Sequence, residues 1–425
     1  MKMSIGPYKA SPDPAALVTV RVAGPTRRGS LEWMEADFAS WLLGSNVVET
    51  FWQAHWGTSA LLVRHESESY FKELLTVDML DEILASTRLP ADHFDLAKDS
   101  TPIPKPAYAS GRDINMQTAL RFHHDGSTII LRAFHKWCRP LDRLRRQAES
   151  TFGVPAQTNV YVTPPRNQST PPHWDTHDLF IIQVEGTKKW RLYESARPLP
   201  LDDERFTPDQ FDVGPQIGEP TLSSGDVLYL PRGSIHEPSA EDYSIHVALG
   251  VPVMRWIDLV EEILRLASRE DVSLREAVPW EITPRGGPSL SSIAEEALRR
   301  VARVTDRHFA DEAVRGLRRE FIAGQDVDSL GKLRAIARPP RPTLESTVRR
   351  RHGALPRVET VGGRIALSWR GGRASFPKRF AGIVQLLVNQ GEIRVRDVPD
   401  GISEDVWLAT LVSPLDDGLL EVIEP

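Results

Sequence analysis

Cysteine is almost missing from this chain: Cys138 stands alone among 425 residues. No intramolecular disulfide can staple the fold, and a reducing compartment suits it. Long apolar runs are missing too, so the sequence offers no candidate for a membrane-spanning helix, and the opening Met1-Lys2-Met3-Ser4-Ile5-Gly6-Pro7 lacks the apolar core of a secretory signal. A cytoplasmic location is the expectation. Neither sign of charge dominates, with 52 Lys and Arg against 58 Asp and Glu and a net charge of −6, which argues against a protein dedicated to nucleic acid. What is present is 40% apolar and 26% charged residues, the balance of a globular protein. The length exceeds one ordinary core and predicts several domains.

Residues 1–30, rich in Pro and Gly, read as a tail or loosely docked arm. Trp33, Phe38, Trp41 and Leu42 recur at helical spacing, and a second helix is predicted near Val47, carrying Phe51, Trp52 and Trp56. Ala60 to Arg64 reads as a buried strand, Tyr70–Leu75 and Val77–Ala85 as helices, and 90–106 as a proline-rich loop. Alternation predicts extended structure over Ala119–His123 and a strand over Ser127–Leu131. Pro140–Phe152 is expected to be a helix with its arginines on a solvated face. From Gln157 to Val251 short strands follow one another across Gly and Pro turns with no helix between them, the pattern of an antiparallel double-stranded β-helix, the jelly roll of the cupins. The 31–253 stretch is thus predicted to be an α+β unit with N-terminal helices. Residues 254–337 carry helical periodicity, Arg338–Pro342 is a natural linker, and 343–425 reads as a small α+β domain of winged-helix type. Between Arg341 and Arg396 there are twelve Arg or Lys against three Asp or Glu, while 397–425 holds eight acids and no base. The balance points to internal charge pairing more than to a nucleic-acid footprint.

The chemistry concentrates in Pro172-His173-Trp174-Asp175-Thr176-His177-Asp178 and, far along the chain, in Gly225-Asp226 to Ser234-Ile235-His236. On an extended segment His173 and Asp175 share a face, because side chains alternate with period two. His236 supplies a third ligand, completing two imidazoles and one carboxylate, the donor set of non-haem Fe(II) oxygenases. His177 is the rival ligand: on a helix, His173 and His177 would form an i, i+4 pair of the zinc type. Pro171 and Pro172 disfavour that helix.

The stretches Asn159-Val160-Tyr161, Pro172 to Asp178 and Gln183-Val184-Glu185-Gly186-Thr187-Lys188-Lys189-Trp190 resemble the JmjC-type cupin oxygenases, most of all the ribosomal oxygenases. The resemblance covers roughly 31–252. It implies that His173, Asp175 and His236 hold Fe(II), and that Lys188 binds the distal carboxylate of 2-oxoglutarate, a buried carboxylate needing a charge partner. Thr170 matches a co-substrate hydroxyl in the related asparaginyl hydroxylase, and Asn159 and Tyr161 line the pocket. It further implies oxidative decarboxylation of 2-oxoglutarate by O2 coupled to hydroxylation of a protein or peptide, a ribosomal protein being the family expectation, in a homodimer formed through the helical domain. Two rivals stand beside it: hydroxylation of a natural-product precursor peptide, and a non-catalytic, ligand-sensing cupin that binds DNA.

Overall fold

The structure is a computed structural model that describes residues 17–22, 31, 34, 37–168, 170–278, 290–304, 307–324, 333, 337, 341–351, 354, 356–369, 372–389, 392–398 and 401–423. The chain divides into two compact units, Met1–Val253 and Met254–Pro425, the division falling where the strand-rich pattern gives way to the helical one.

The first unit contains strands β1 (Val18–Val22), β2 (Leu61–His65), β3 (Phe94–Lys98), β4 (Thr128–Leu131), β5 (Gln157–Thr163), β6 (Asp178–Tyr193), β7 (Thr221–Ser223), β8 (Asp226–Leu230), β9 (Ile235–Ala240) and β10 (Ser244–Val251). Its longer helices are α1 (Phe38–Leu43), α2 (Val77–Ser86), α3 (Met116–His124) and α4 (Arg139–Phe152), and the helix expected near Val47 is a short α-turn, Val48–Thr50, continued by a π-helical turn, Phe51–His55. The main sheet runs β1-β2-β8-β6-β10-β5-β4-β3, antiparallel except for the parallel β1–β2 pair.

One strand makes the barrel. The first half of β6 pairs with β8 and β10, whereas the second half leaves them and pairs with β7 and β9. The turn between halves is a register irregularity at Gln183/Glu185 followed by Gly186 at φ 66°. A Cβ on Gly186 would stand 1.8 Å from the Tyr243 carbonyl oxygen, so only glycine fits. Alternation then sorts the side chains. Val160, Val162, Phe180, Ile182, Val227, Tyr229, Ile245, Val247 and Leu249 pack outward with the core that includes Phe38, Trp41, Leu141 and Leu144. Leu62, Leu179, Ile181, Trp190, Leu192, Leu228, Leu230 and Ala248 form a separate inner cluster.

Several expectations change on contact with the structure. Val18–Val22 of the presumed arm is a strand on β2; residues 1–16 and 23–30 of it, like Trp33 and most of the 338–342 linker, lie outside the described residues. Tyr70–Leu75 forms turns instead of a helix, because Tyr70, Phe71, Leu74 and Leu75 are all buried and the Tyr70 hydroxyl is committed to the Trp41 carbonyl at 2.9 Å. Ala119–His123 is helical, since Asn115 caps α3 by accepting from Thr118 N at 3.0 Å and a five-residue alternation is too short to outweigh a cap. The 90–106 loop contains β3, whose Phe94 and Leu96 are buried. Leu179–Val184 and Lys189–Tyr193 are one sixteen-residue strand. The α4 arginines are not all solvated: Arg145 and Arg146 are buried, Arg145 donating to Glu149 Oε1 at 2.6 Å and Asp142 Oδ1 at 2.8 Å, and Arg146 to Asp142 Oδ2 at 2.9 Å.

The second unit begins with α5 (Trp256–Glu270), α6 (Leu290–Val304) and α7 (Arg307–Ala323). Beyond them β11 (Thr347–Arg350), β12 (Arg357–Val361), β13 (Arg364–Trp369), β14 (Gly372–Pro377), α8 (Ala381–Asn389), β15 (Glu392–Arg394), α9 (Glu404–Asp416) and β16 (Leu420–Ile423) build two three-stranded sheets, β15-β11-β16 and β12-β13-β14. Trp369, Leu387, Trp407 and Leu411 lie in their shared core. Arg349 pairs with Glu421 at 2.8 Å, an instance of the charge complementarity seen between the basic and acidic stretches. Among the described residues no helix is long and apolar enough to cross a membrane.

Candidate active site

His173 and Asp175 do not sit in a regular strand. The segment is extended, and it is tied down by a single bridge in which His173 N donates to His236 O (3.2 Å) and His236 N to His173 O (2.9 Å). Two residues on, Gly233 N donates to Asp175 O at 3.0 Å. These bonds bring residues 63 apart in sequence into register, so that ligand atoms of His173, Asp175 and His236 all lie within 4.8 Å of one another. The backbone also sets the imidazoles: His173 Nδ1 lies 2.8 Å from Pro171 O and His236 Nδ1 3.0 Å from Ser234 O. Each Nδ1 must carry the proton to make its bond, which leaves both Nε2 lone pairs free for a metal.

The electrostatics agree with that role. Burial drives the His236 imidazole down to about 4, with His173 adding to the effect and Asp175 opposing it, so the ring is neutral at physiological pH. Burial raises the Asp175 carboxyl, but His236, His177 and His173 outweigh it and hold the group below its ordinary value, as a carboxylate. His177 is not part of the ligand cluster; its ring lies over Gly250, where a Cβ would approach Nε2 to 2.7 Å.

Behind the cluster lies an inward-facing polar wall. Lys188 is completely buried, and its Nζ donates to Thr163 Oγ1 at 2.8 Å. No carboxylate among the described residues pairs with it, and burial pushes the ammonium down to about 7. Asn159, Tyr161 and Thr163 of β5 stand opposite Ala248, His246 and Ser244 of β10. The Tyr161 ring stacks on His246 at 4.7 Å and 5°, and Trp190 meets His246 at 5.3 Å and His236 at 5.8 Å. Asn159 accepts from Ala133 N at 3.0 Å, and Thr170 is half-buried with its carbonyl facing Gln168 Nε2 at 3.3 Å. Trp174 points elsewhere, donating to Glu204 O at 3.0 Å and packing on Phe206 and Phe211, which anchors the 198–218 loop.

Residue reading missed Thr163, His246 and Asp178. The first two carry no motif, although the period-two rule from Tyr161 and from Ser244 would have pointed them inward. Asp178 is fully buried; it accepts from the Tyr229 hydroxyl and from Arg232 N (3.1 Å), fixing the turn that leads into His236.

The donor set suits a metal with open coordination positions, and a buried lysine with no carboxylate partner among the described residues, inside the same barrel, suits a carboxylate-bearing co-substrate. A barrel with this strand plan and this cluster is a cupin, and residues 133–259 match the JmjC domain family. Beyond that stretch the chain is similar to ribosomal oxygenases. It is 30% identical over 312 residues to the bifunctional lysine-specific demethylase and histidyl-hydroxylase NO66 of Drosophila melanogaster, covering 64% of this chain and 46% of that protein. It is 29% identical over 254 residues to ribosomal oxygenase 1 of Bos taurus, covering 57% of this chain and 38% of that one. The chain thus spans less than half the length of these two relatives. Among solved structures, Escherichia coli YcfD superposes with a TM-score of 0.52 at 17% identity, covering 88% of this chain and 98% of that one. That ribosomal oxygenase is also known in complex with cobalt and 2-oxoglutarate (TM-score 0.50, 16% identity). At such identity the likeness is one of fold.

Proposed function

We propose that this chain is an Fe(II)- and 2-oxoglutarate-dependent oxygenase that hydroxylates a side chain of a protein. The observation that carries the reading is Lys188: a fully buried side chain inside the barrel that carries the His173, Asp175 and His236 cluster, with only the Thr163 hydroxyl as hydrogen-bond partner among the described residues. An unpaired buried charge is costly, and a dicarboxylate co-substrate removes the cost by bringing the opposite charge. The JmjC match and the oxygenase relatives support the same assignment.

In this reading His173, Asp175 and His236 hold the iron through two Nε2 atoms and a carboxylate oxygen. Bound iron supplies the activation of O2 and, with 2-oxoglutarate, the oxidising power for hydroxylation. The chain's own work is positional. Pro171 O and Ser234 O keep the imidazole protons on Nδ1, Lys188 and Thr163 hold the distal carboxylate, and Tyr161 with Trp190 keeps water from the inner wall. Thr170 and Asn159 are proposed to border the co-substrate from the neighbouring segments.

The relatives' names make a histidine of a ribosomal protein the first substrate to try. A homodimer is proposed through α5, which leaves Trp256 71% exposed beside Ile257 and Val260, an apolar surface that solvent disfavours. The winged-helix reading of 343–425 and a cytoplasmic location, the latter supported by the lone buried Cys138, belong to the same proposal. The test is incubation of the purified chain with Fe(II), 2-oxoglutarate, O2 and ribosomal proteins. Succinate formation and a gain of one oxygen on a protein peptide, both lost in His173→Ala, are expected; turnover unchanged in that variant would end the reading.

A further inference from the structure

The 231–234 turn serves two places at once. Towards the metal cluster, Gly233 N donates to the Asp175 carbonyl at 3.0 Å, and Ser234 O fixes Nδ1 of His236 at 3.0 Å. The same residues form one wall of a pocket of about 570 Å³ that none of His173, Asp175 and His236 lines. Its volume falls in the range of small-ligand sites, roughly 300–1,000 Å³. Leu17, Ala60, Leu192, Ile217, Leu230 and Ile235 make the wall largely apolar. Arg232 is the one cation among the described lining residues, and its Nε is buried without a hydrogen-bond partner. Asp178 feels the Arg232 charge, but its two oxygens already accept from the Tyr229 hydroxyl and from Arg232 N. Glu194, the one acid among the described lining residues, is exposed to solvent. A buried N–H without an acceptor costs about 1–3 kcal/mol. Leu199, also in the lining, is held at φ 50°, a strained backbone for a residue with a side chain.

We propose that this pocket is an effector site for an aliphatic monocarboxylate, its carboxylate paired with Arg232 through Nε and its tail against Leu192, Leu230 and Ile235. A guanidinium offers Nε–H and one Nη–H side by side, matching the two oxygens of a carboxylate. A neutral apolar molecule leaves Nε unpaired, and a dicarboxylate buries its second charge against leucines. The occupant stiffens the 231–234 turn, and with it the Asp175 carbonyl and the His236 imidazole that the turn holds. Ligand and metal therefore favour each other's binding, and the coupling is reciprocal. Occupancy of the pocket is independent of the oxygenase reading; the coupling to iron rests on it.

The test uses octanoate as the probe, titrated calorimetrically into the metal-free full chain for the wild type, Arg232→Met and Ala60→Phe. The first variant removes the guanidinium, and the second fills the pocket without touching a charge. Saturable binding is expected in the wild type, unaffected by 2-oxoglutarate. In each variant that keeps the wild-type circular dichroism it is expected to be at least about tenfold weaker, and 1-octanol is expected to bind the wild type at least about tenfold more weakly than octanoate. With octanoate at saturation, Fe(II) titration is expected to show about fivefold tighter metal binding in the wild type and no change in Ala60→Phe. No saturable binding, octanol as tight as octanoate, or displacement of octanoate by 2-oxoglutarate, which places it on Lys188, overturns the site. Iron affinity unchanged with octanoate bound overturns the effector role. A wild type that binds octanoate as expected but takes up no Fe(II) overturns the oxygenase reading, and the coupling with it, while the pocket stands.

Discussion

Replacing Lys188 by methionine separates function from stability with a sign that depends on pH. The side chain is completely buried, bonded to one neutral hydroxyl, and its ammonium is pushed from 10.5 to about 7. That difference is worth about 5 kcal/mol, at about 1.36 kcal/mol for each pH unit. Between pH about 7 and 10.5 the unfolded chain keeps the proton that the folded chain has released, so wild-type stability rises with pH across this window. Below about 7 the charge is buried outright and the whole cost applies. In the absence of metal and co-substrate, Lys188→Met is therefore expected to be more stable than the wild type at pH 6. The gain is about 5 kcal/mol, less about 1 kcal/mol for the lost bond to Thr163. At pH 8.5 it falls to roughly half of that. Binding moves the other way. Without the cation a buried carboxylate loses its partner, at about 3–5 kcal/mol, so 2-oxoglutarate affinity drops by about two to four orders of magnitude. Denaturant unfolding of both proteins at pH 6 and 8.5, with and without 2-oxoglutarate, measures each quantity. A Lys188→Met protein destabilised equally at both pH values would refute the picture of an unpaired buried cation.

Asp175→Ala removes the only anionic ligand of the cluster, and Fe(II) affinity measured by metal titration should fall by at least about 100-fold, beyond the roughly 10–100-fold typical of outer partners. Gly186→Ala meets the Tyr243 carbonyl oxygen at 1.8 Å with φ at 66°; a loss of more than about 2 kcal/mol is expected by thermal unfolding, with weaker 2-oxoglutarate binding because Lys188 follows two residues later. Glu149→Ala leaves Ala156 N unpaired and Arg145 with only Asp142, at a cost of about 2–3 kcal/mol in the same assay and no change in metal affinity.

The local sequence was enough for features carried by period and by chemistry. Short strands set off by Gly and Pro turns marked β5, β8 and β10, the Pro171-Pro172 pair kept His173 off a helix, and two histidines with a carboxylate marked a candidate metal site. Helix α4 was legible from Pro140 at its start and Gly153, at φ 70°, just past its end. Where five or six residues alone had to decide, as at Tyr70–Leu75 and Ala119–His123, a hydroxyl bond to a distant carbonyl or a cap overrode the pattern. That Lys188 is sealed without a carboxylate partner among the described residues was not legible either, because whether a lysine is solvated or buried depends on strands β5, β6 and β10 closing around it, and these are far apart in the chain.

The His173, Asp175 and His236 cluster shows the division most clearly. Sequence alone determined which side chains can bind a metal and that His173 and Asp175 would share a side. Only the tertiary structure decided that they meet His236, since that needs β6 to leave one sheet for the other at Gly186 and a single bridge to hold His173 against His236. Those contacts join residues far apart along the chain, and no local preference encodes them.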